Sequence, residues 1–350
     1  MGTKFKRRIL SIDGGGIRGI IPAIVLNYIE ERTGKRIATM FDLIAGTSTG
    51  GILALGLTRK NSDSSINKEP EYTAVELVNF YRQHGKKIFT EQFPTDIDDL
   101  IQPKINPKGL QEVLTALLGE AKVEDAIKEI FITSYDIELR APVFFTSNRE
   151  AEDTNSFDSR KICTGFKMVE AARATSAAPT FFPPYKLETG RHRTSEGYYA
   201  LIDGGVFANN PASLAMMEAM ISYKRRNPGE ELQRTDILVV SLGTGSLTTP
   251  YKYRDVKNWG QLKWGLPLLS VVLDSQSEAV AYQLSKLMVT RGENRNYYRF
   301  QLALSSDHNH DQLDNADPSN IDYLEMRGKK LIEEDRETLN ELCELLKQDY

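Results

Sequence analysis

Three short glycine-bearing segments hold the residues best suited to chemistry. Asp13-Gly14-Gly15-Gly16-Ile17-Arg18-Gly19 follows the first apolar run, Gly46-Thr47-Ser48-Thr49-Gly50 follows the second, and Asp203-Gly204-Gly205 comes far downstream. A serine hydroxyl on a tight turn can attack a carbonyl carbon, a carboxylate can take its proton, and backbone amides can hold the negative oxygen that forms. Together the segments supply the nucleophile, base and oxyanion donors of acyl transfer.

The spacing Gly46-x-Ser48-x-Gly50, between an apolar strand and a helix of small residues, is the nucleophile-elbow pattern, in which Gly46 and Gly50 leave room for a sharp turn. The structural alternative makes Ser48 a helix-capping serine, with Thr47 and Thr49 as capping and packing groups. Serine needs a base, and the default is a histidine held by a carboxylate. Four histidines exist, His84, His192, His308 and His310, and the last two lie in a polar stretch where solvation accounts for them. Asp203 is the stronger base because it ends the apolar run Leu201-Ile202, and Gly204 and Gly205 bring backbone close to it. At the carboxyl end of a parallel strand it faces the crevice of the elbow, where partial desolvation makes it basic enough to act. Asn209 and Asn210 either orient this loop or cap the helix that starts near Pro211.

Gly14, Gly16 and Gly19 also satisfy a dinucleotide-binding fingerprint. That reading needs an acidic residue at the end of the second strand, and Asp42 sits at its beginning. The glycines then serve close helix–strand packing or, the reading preferred here, point backbone N–H groups at a developing oxyanion. Arg18 has three roles open to it: bonding this turn, meeting a substrate phosphate, or pairing with a carboxylate.

The elements that must position these groups alternate along the chain. Strands are expected over 8–12, 41–45, 129–135, 142–147, 199–202 and 236–242. Helices are expected over 20–32, 50–57, 72–85, 109–118, 169–178 and 211–223, and a charged amphipathic helix or helix pair over 321–346. This pattern predicts an α/β fold with a mostly parallel central sheet and helices on both faces. The stretch from Trp259 to Leu269 sets aromatic and leucine residues beside lysines, as a membrane interface does, but its glycines and proline predict a packed loop or a lid rather than a regular helix.

At 350 residues and 40% hydrophobic composition the chain can bury a large core. A net charge of −4 with scattered basic residues gives no electrostatic case for a nucleic acid polymer as partner. The two cysteines, Cys163 and Cys343, have no metal-ligand spacing and fit a reducing compartment. The basic start is followed only by the short apolar stretch Ile9 to Ile12, so it reads as a tail before a strand rather than a signal peptide. A soluble, cytoplasmic protein without metal or cofactor is expected.

The chain resembles the patatin-like phospholipases. Four segments match that family in order: Asp13 to Gly19, Gly46 to Gly50, Ala172 to Pro184 and Asp203 to Gly205, with Ser241 to Gly245 resembling its late strand and glycine turn. The resemblance implies a three-layer sandwich and one acyl hydrolase domain over 1–350, with its motifs in about 7–245 and a helical extension over 246–350. It also implies Ser48 as nucleophile, Asp203 as its only partner, and Gly15, Gly16 and the Arg18 neighbourhood as oxyanion stabilisers. The substrates it implies are acyl esters of phospholipids, lysophospholipids or neutral and galactolipids, reached by peripheral membrane contact. Residues up to 57 resemble most the short soluble members, and some bacterial members are switched on by cyclic nucleotides, which brings in such an activator. Head group, acyl length, bond position and oligomeric state are not encoded in these motifs. Acyl transfer to an acceptor other than water and lipid binding without turnover are the competing functions.

Overall fold

The computed structural model describes residues 5–61, 69–90, 103–153, 159–189, 197–247, 250–292, 294–305 and 310–348. Its strands are β1 (Arg7–Ile12), β2 (Leu43–Thr47), β3 (Glu129–Asp136), β4 (Ala141–Thr146), β5 (Arg160–Ile162), β6 (Tyr185–Glu188), β7 (Tyr198–Asp203), β8 (Ile237–Leu242), β9 (Ser246–Leu247), β10 (Tyr297–Phe300) and β11 (Ala303–Leu304). Its α-helices are α1 (Ile20–Thr33), α2 (Ile37–Met40), α3 (Thr49–Thr58), α4 (Ala74–Ile88), α5 (Pro107–Leu118), α6 (Met168–Thr175), α7 (Gly205–Ala208), α8 (Ala212–Arg226), α9 (Tyr253–Val256), α10 (Gln261–Leu287), α11 (Pro318–Glu334) and α12 (Arg336–Lys347).

Nine of these strands join one sheet, whose main path runs β10-β8-β1-β2-β3-β4-β5. The run from β10 to β3 is parallel. β1, β2 and β8 are buried along nearly their whole length, as strands covered on both faces must be. Their side chains alternate between two cores. Leu10, Ile12, Ile44 and Val240 pack with α1 and α3 on one side, while Ile9, Leu43, Ala45 and Val239 pack with Ala212, Ala215 and Met216 of α8 on the other. The result is the three-layer α/β sandwich expected.

Local chemistry sets several helix ends. Thr73 and Glu76 form a reciprocal capping box at the start of α4, Asn106 caps α5 with Pro107 in its first turn, and Gly34 ends α1 in the left-handed conformation at φ 70°. The charged C-terminal pattern resolves into two helices, α11 and α12, parted at Asp335.

Three expectations are corrected. β4 pairs antiparallel with β3, and so does β7, so Asp203 ends an antiparallel strand rather than a parallel one. The stretch 246–350 is not only helical, since β10 adds an edge strand to the main sheet. Finally, most of the supposed loop at 259–269 belongs to α10, which runs through Pro267. The carbonyl that proline leaves unpartnered, on Lys263, belongs to a solvent-exposed residue, so water can satisfy it.

β10 also carries a tie to the glycine turn. The guanidinium of Arg299 donates to both Asp13 carboxylate oxygens, at 2.9 and 2.6 Å, and to Ser241 Oγ at 2.9 Å. Asp13 is 1% exposed, so removing either partner leaves a charge stranded in the interior. Arg299→Met or Asp13→Asn alone is expected to destabilise the protein by about 3–5 kcal/mol, and the double substitution by much less than the sum. Urea unfolding of the three variants checks this; single losses below about 1 kcal/mol would show that the pair is not holding the turn.

Candidate active site

The elbow forms where β2 leaves the sheet. Ser48 sits at φ 55°, ψ −123°, outside the regions favoured by side-chain-bearing residues, and such strain persists only where the surroundings impose it. Those surroundings are on either side. Thr175 Oγ1 accepts from the Ser48 amide at 2.8 Å, and the Ser48 carbonyl accepts from the Ile52 amide at 3.0 Å. A Cβ on Gly46 would stand 2.2 Å from the Gly50 carbonyl oxygen, and one on Gly50 would stand 2.1 Å from that of Ile12, so neither position admits a side chain. The Ser48 side chain does not cap α3, which sets aside the capping role. Thr47 Oγ1 instead bonds Thr133 Oγ1 at 2.7 Å and the Ala208 carbonyl at 2.6 Å, and Thr49 Oγ1 bonds Tyr81 Oη.

Asp203 reaches Ser48 along the same sheet edge. β4 occupies one edge of β3 over Phe131–Asp136, so β2 and β7 must share the other. β2 pairs up to Thr47 opposite Thr133, and β7 ends at Asp203 opposite Ser134, the next residue. The two strands therefore meet with their carboxyl ends facing. Gly204 permits this closeness, because a Cβ there would lie 2.1 Å from Thr133 Oγ1. The Asp203 carboxylate accepts from the Gly205 amide at 2.7 Å, and it lines the same crevice as Ser48, whose hydroxyl favours its ionised form. Burial outweighs both influences and pushes its pKa up to about 7.

The glycine turn closes the site from the third side. The Gly14 amide donates to the Asn209 carbonyl at 3.0 Å, and the Gly14 carbonyl accepts from Thr244 Oγ1 at 2.7 Å. Gly16, at φ 58°, lies so close to Leu313 that a Cβ would stand 2.1 Å from its carbonyl oxygen. Among the described residues, neither the Gly15 nor the Gly16 amide has a protein acceptor, and both residues line the crevice with Ser48 and Asp203. Arg18 stands behind the turn. It is 3% exposed, donating through Nε to the Gly15 carbonyl at 3.3 Å and through Nη1 to that of Asp311 at 3.3 Å. Of its three open roles, bonding the turn is the one its contacts match. Asn209 donates through Nδ2 to Ser277 Oγ at 3.0 Å, orienting the loop after Asp203 against α10.

The crevice is narrow, about 60 Å³, with apolar walls that include Ile52, Leu110, Phe181, Phe182, Leu273 and Leu313. Neither His84 nor His310 lines it; His310 bonds Asn320 at 2.8 Å and stacks on Tyr323. His192 and His308 lie outside the described residues. Sequence reasoning singled out the stretch ending at Leu269 but missed Leu273 of α10, Leu313 and Asp314, and Arg299, because nothing local marks a wall brought in from a distant segment. Thr175 lies inside the recognised 172–184 segment, but its bond to the Ser48 amide has no sequence signal.

A profile described as patatin-like phospholipase matches residues 10–216, more than half of the chain. The chain belongs to the patatin-like phospholipase family. Patatin group J-1 of Solanum tuberosum is 32% identical over 339 residues, covering 93% of this chain and 83% of its own. Probable inactive patatin-3-Kuras 1 of the same plant is 34% identical over 307 residues, covering 84% and 78%. The crystal structure of VipD from Legionella pneumophila aligns with a TM-score of 0.36 at 14% identity, over 95% of this chain and 67% of that one. Membership of the patatin-like phospholipases carries lipid acyl hydrolysis as the general activity of the family.

A buried carboxyl whose pKa lies above its ordinary value binds a proton more tightly folded than unfolded. Its contribution to stability therefore falls as pH rises from about 4 to about 7 and stays low above that. Asp203→Asn is accordingly expected to raise the melting temperature more at pH about 8 than at pH about 5, a difference of roughly 2–3 kcal/mol. Thermal unfolding of both proteins at the two pH values tests this, and an equal effect at both would show that Asp203 is not held protonated by burial.

Proposed function

We propose that this patatin-like protein is a lipid acyl hydrolase of phospholipase A or lysophospholipase type that works through a Ser48–Asp203 dyad. The observation that carries the proposal is the convergence of the strained, non-capping Ser48 and the buried Asp203 carboxyl on one crevice, where the two strand ends meet beside the Gly15 and Gly16 amides, left without a protein acceptor among the described residues. Asp203 accepts the Ser48 proton as Oγ attacks the ester carbonyl carbon. The Gly15 and Gly16 amides receive the resulting oxyanion, with the N-terminus of α3 beside it. As the tetrahedral intermediate collapses, Asp203 passes the proton to the departing alcohol and the acyl group stays on Ser48 Oγ. Water then attacks, again giving its proton to Asp203, and the fatty acid leaves as that proton returns to Ser48. Arg18 and Asn209 hold the glycine turn and the aspartate loop in register, and the apolar crevice takes the acyl chain.

The protein reaches its substrate by peripheral contact with a lipid surface. Among the described residues no helix is long and apolar enough to cross a membrane. Both cysteines are buried and free, which suits the cytoplasm. Lipid binding without turnover is the second reading, and the relative named as probably inactive is what favours it.

Ser48→Ala is expected to abolish acyl-enzyme formation and ester hydrolysis while leaving the melting temperature near that of the parent. Asp203→Asn should lower kcat/KM by roughly 10²–10⁴-fold, and His308→Ala and His310→Ala should keep most activity. For the parent, kcat/KM should rise about tenfold per pH unit below about 7 and level off above it, since the base acts ionised. Rates on phospholipid, lysophospholipid, galactolipid and triglyceride, with products identified, provide the check. Lipid binding without release of fatty acid from any of them would favour the second reading, and full activity in folded Ser48→Ala would remove Ser48 from the chemistry.

A further inference from the structure

We infer that residues 251–271 form a docking surface for anionic phospholipid bilayers, and that a groove beside the start of α10 leads from it to Ser48. This rests on the lipid hydrolase reading and extends it to the partner surface and the path of the substrate. The chain's two tryptophans both lie here, Trp259 meeting Trp264 edge-on at 5.4 Å and Tyr251 edge-on at 5.7 Å. In the same segment Tyr253 is 81% exposed, the most exposed large hydrophobic among the described residues, and Leu268 is 51% exposed. Lys252, Arg254, Lys257 and Lys263 are exposed between these residues. The opposing acid is Asp255, 3.6 Å from Arg254.

This segment is basic in a chain of net charge −4. An anionic surface would repel most of the protein and attract this face, which fixes the orientation in which it docks. Aromatic rings and leucine flanked by ammonium groups match the chemistry of a headgroup region, with the rings reaching the acyl boundary and the cations staying among the phosphates.

The patch is continuous with the site. A groove of about 590 Å³ is lined by Tyr251, Pro267 and Val271 on the docking side and by Asp311 and Gln312 opposite. Phe181, Leu269, Leu313 and Asp314 line both this groove and the crevice that holds Ser48 and Asp203. A lipid leaving the bilayer at this face would have an apolar path for its acyl chain past Leu269 and Leu313, while the acids Asp274, Glu278, Asp311 and Asp314 on the groove's polar side keep its phosphate at the basic mouth.

Because both tryptophans lie in the patch, the intrinsic fluorescence of the full chain reports directly on docking. The Ser48→Ala protein, which leaves vesicles intact, is mixed with vesicles of phosphatidylcholine and phosphatidylglycerol in equal parts, and separately with phosphatidylcholine alone. A blue shift in emission with co-sedimentation is expected on the anionic vesicles, with much weaker binding to the neutral ones. The triple substitution Lys252→Glu, Lys257→Glu, Lys263→Glu should weaken anionic binding by roughly tenfold or more. Tyr253→Ser with Leu268→Ser should weaken it as well, and in the Ser48 background both sets should spare hydrolysis of a short, water-soluble ester. No emission shift on anionic vesicles, or unchanged sedimentation of the charge-reversed protein, would overturn the inference. Docking as expected by a Ser48 protein that hydrolyses neither the short ester nor lipid would overturn the hydrolase reading and leave the docking surface standing.

Discussion

Two strands sharing one edge of β3 is the constraint on which the rest of this molecule depends. β2 stops at Thr47 because the elbow must turn out of the sheet, and the ladder groups of β3 beyond that point need partners. β7 supplies them from the opposite direction, so satisfying the backbone of β3 brings two chain ends face to face. Ser48 and Asp203 lie at those ends. Their meeting follows from sheet hydrogen bonding rather than from any attraction between hydroxyl and carboxylate.

That arrangement is unfavourable locally and is held from around it. Ser48 carries a backbone conformation costing on the order of 1–3 kcal/mol, and burial disfavours the charged form of Asp203. The amide of Ser48 is fixed by Thr175 on α6, and the wholly buried α3 packs against β2, β3 and α6. Those contacts keep the elbow from relaxing. The same desolvation that disfavours the charged carboxylate raises its basicity into the range where it can exchange a proton with a serine.

The last third of the chain completes the site rather than hanging from it. Arg299 on β10 anchors Asp13 at the head of the glycine turn, Gln276 and Ser277 of α10 hold the loop after Asp203, and the Leu313 carbonyl accepts from the Ile17 amide. Arg8 of β1 in turn donates to the carbonyl of Gln348, tying the two ends of the described chain together. The glycine turn is thus rigid because its supports come from three separate segments.

The sequence by itself determined the parts and their local form. Glycines at 46 and 50 are dictated by contacts a Cβ could not survive, and the apolar runs of β1, β2 and β8 announce buried parallel strands. The three segments around Gly15, Ser48 and Asp203 were legible for the same reason: each is a short-range geometry that few residue types allow. What only the tertiary structure decided was long-range. The antiparallel entry of β7, the Arg299–Asp13 tie, the helical course of 261–269 through Pro267 and the crevice wall from α10 and Leu313 all depend on partners many residues away. Strand direction and side-chain partnership are set by how the sheet satisfies its backbone and its buried charges, and no local window of sequence contains that information.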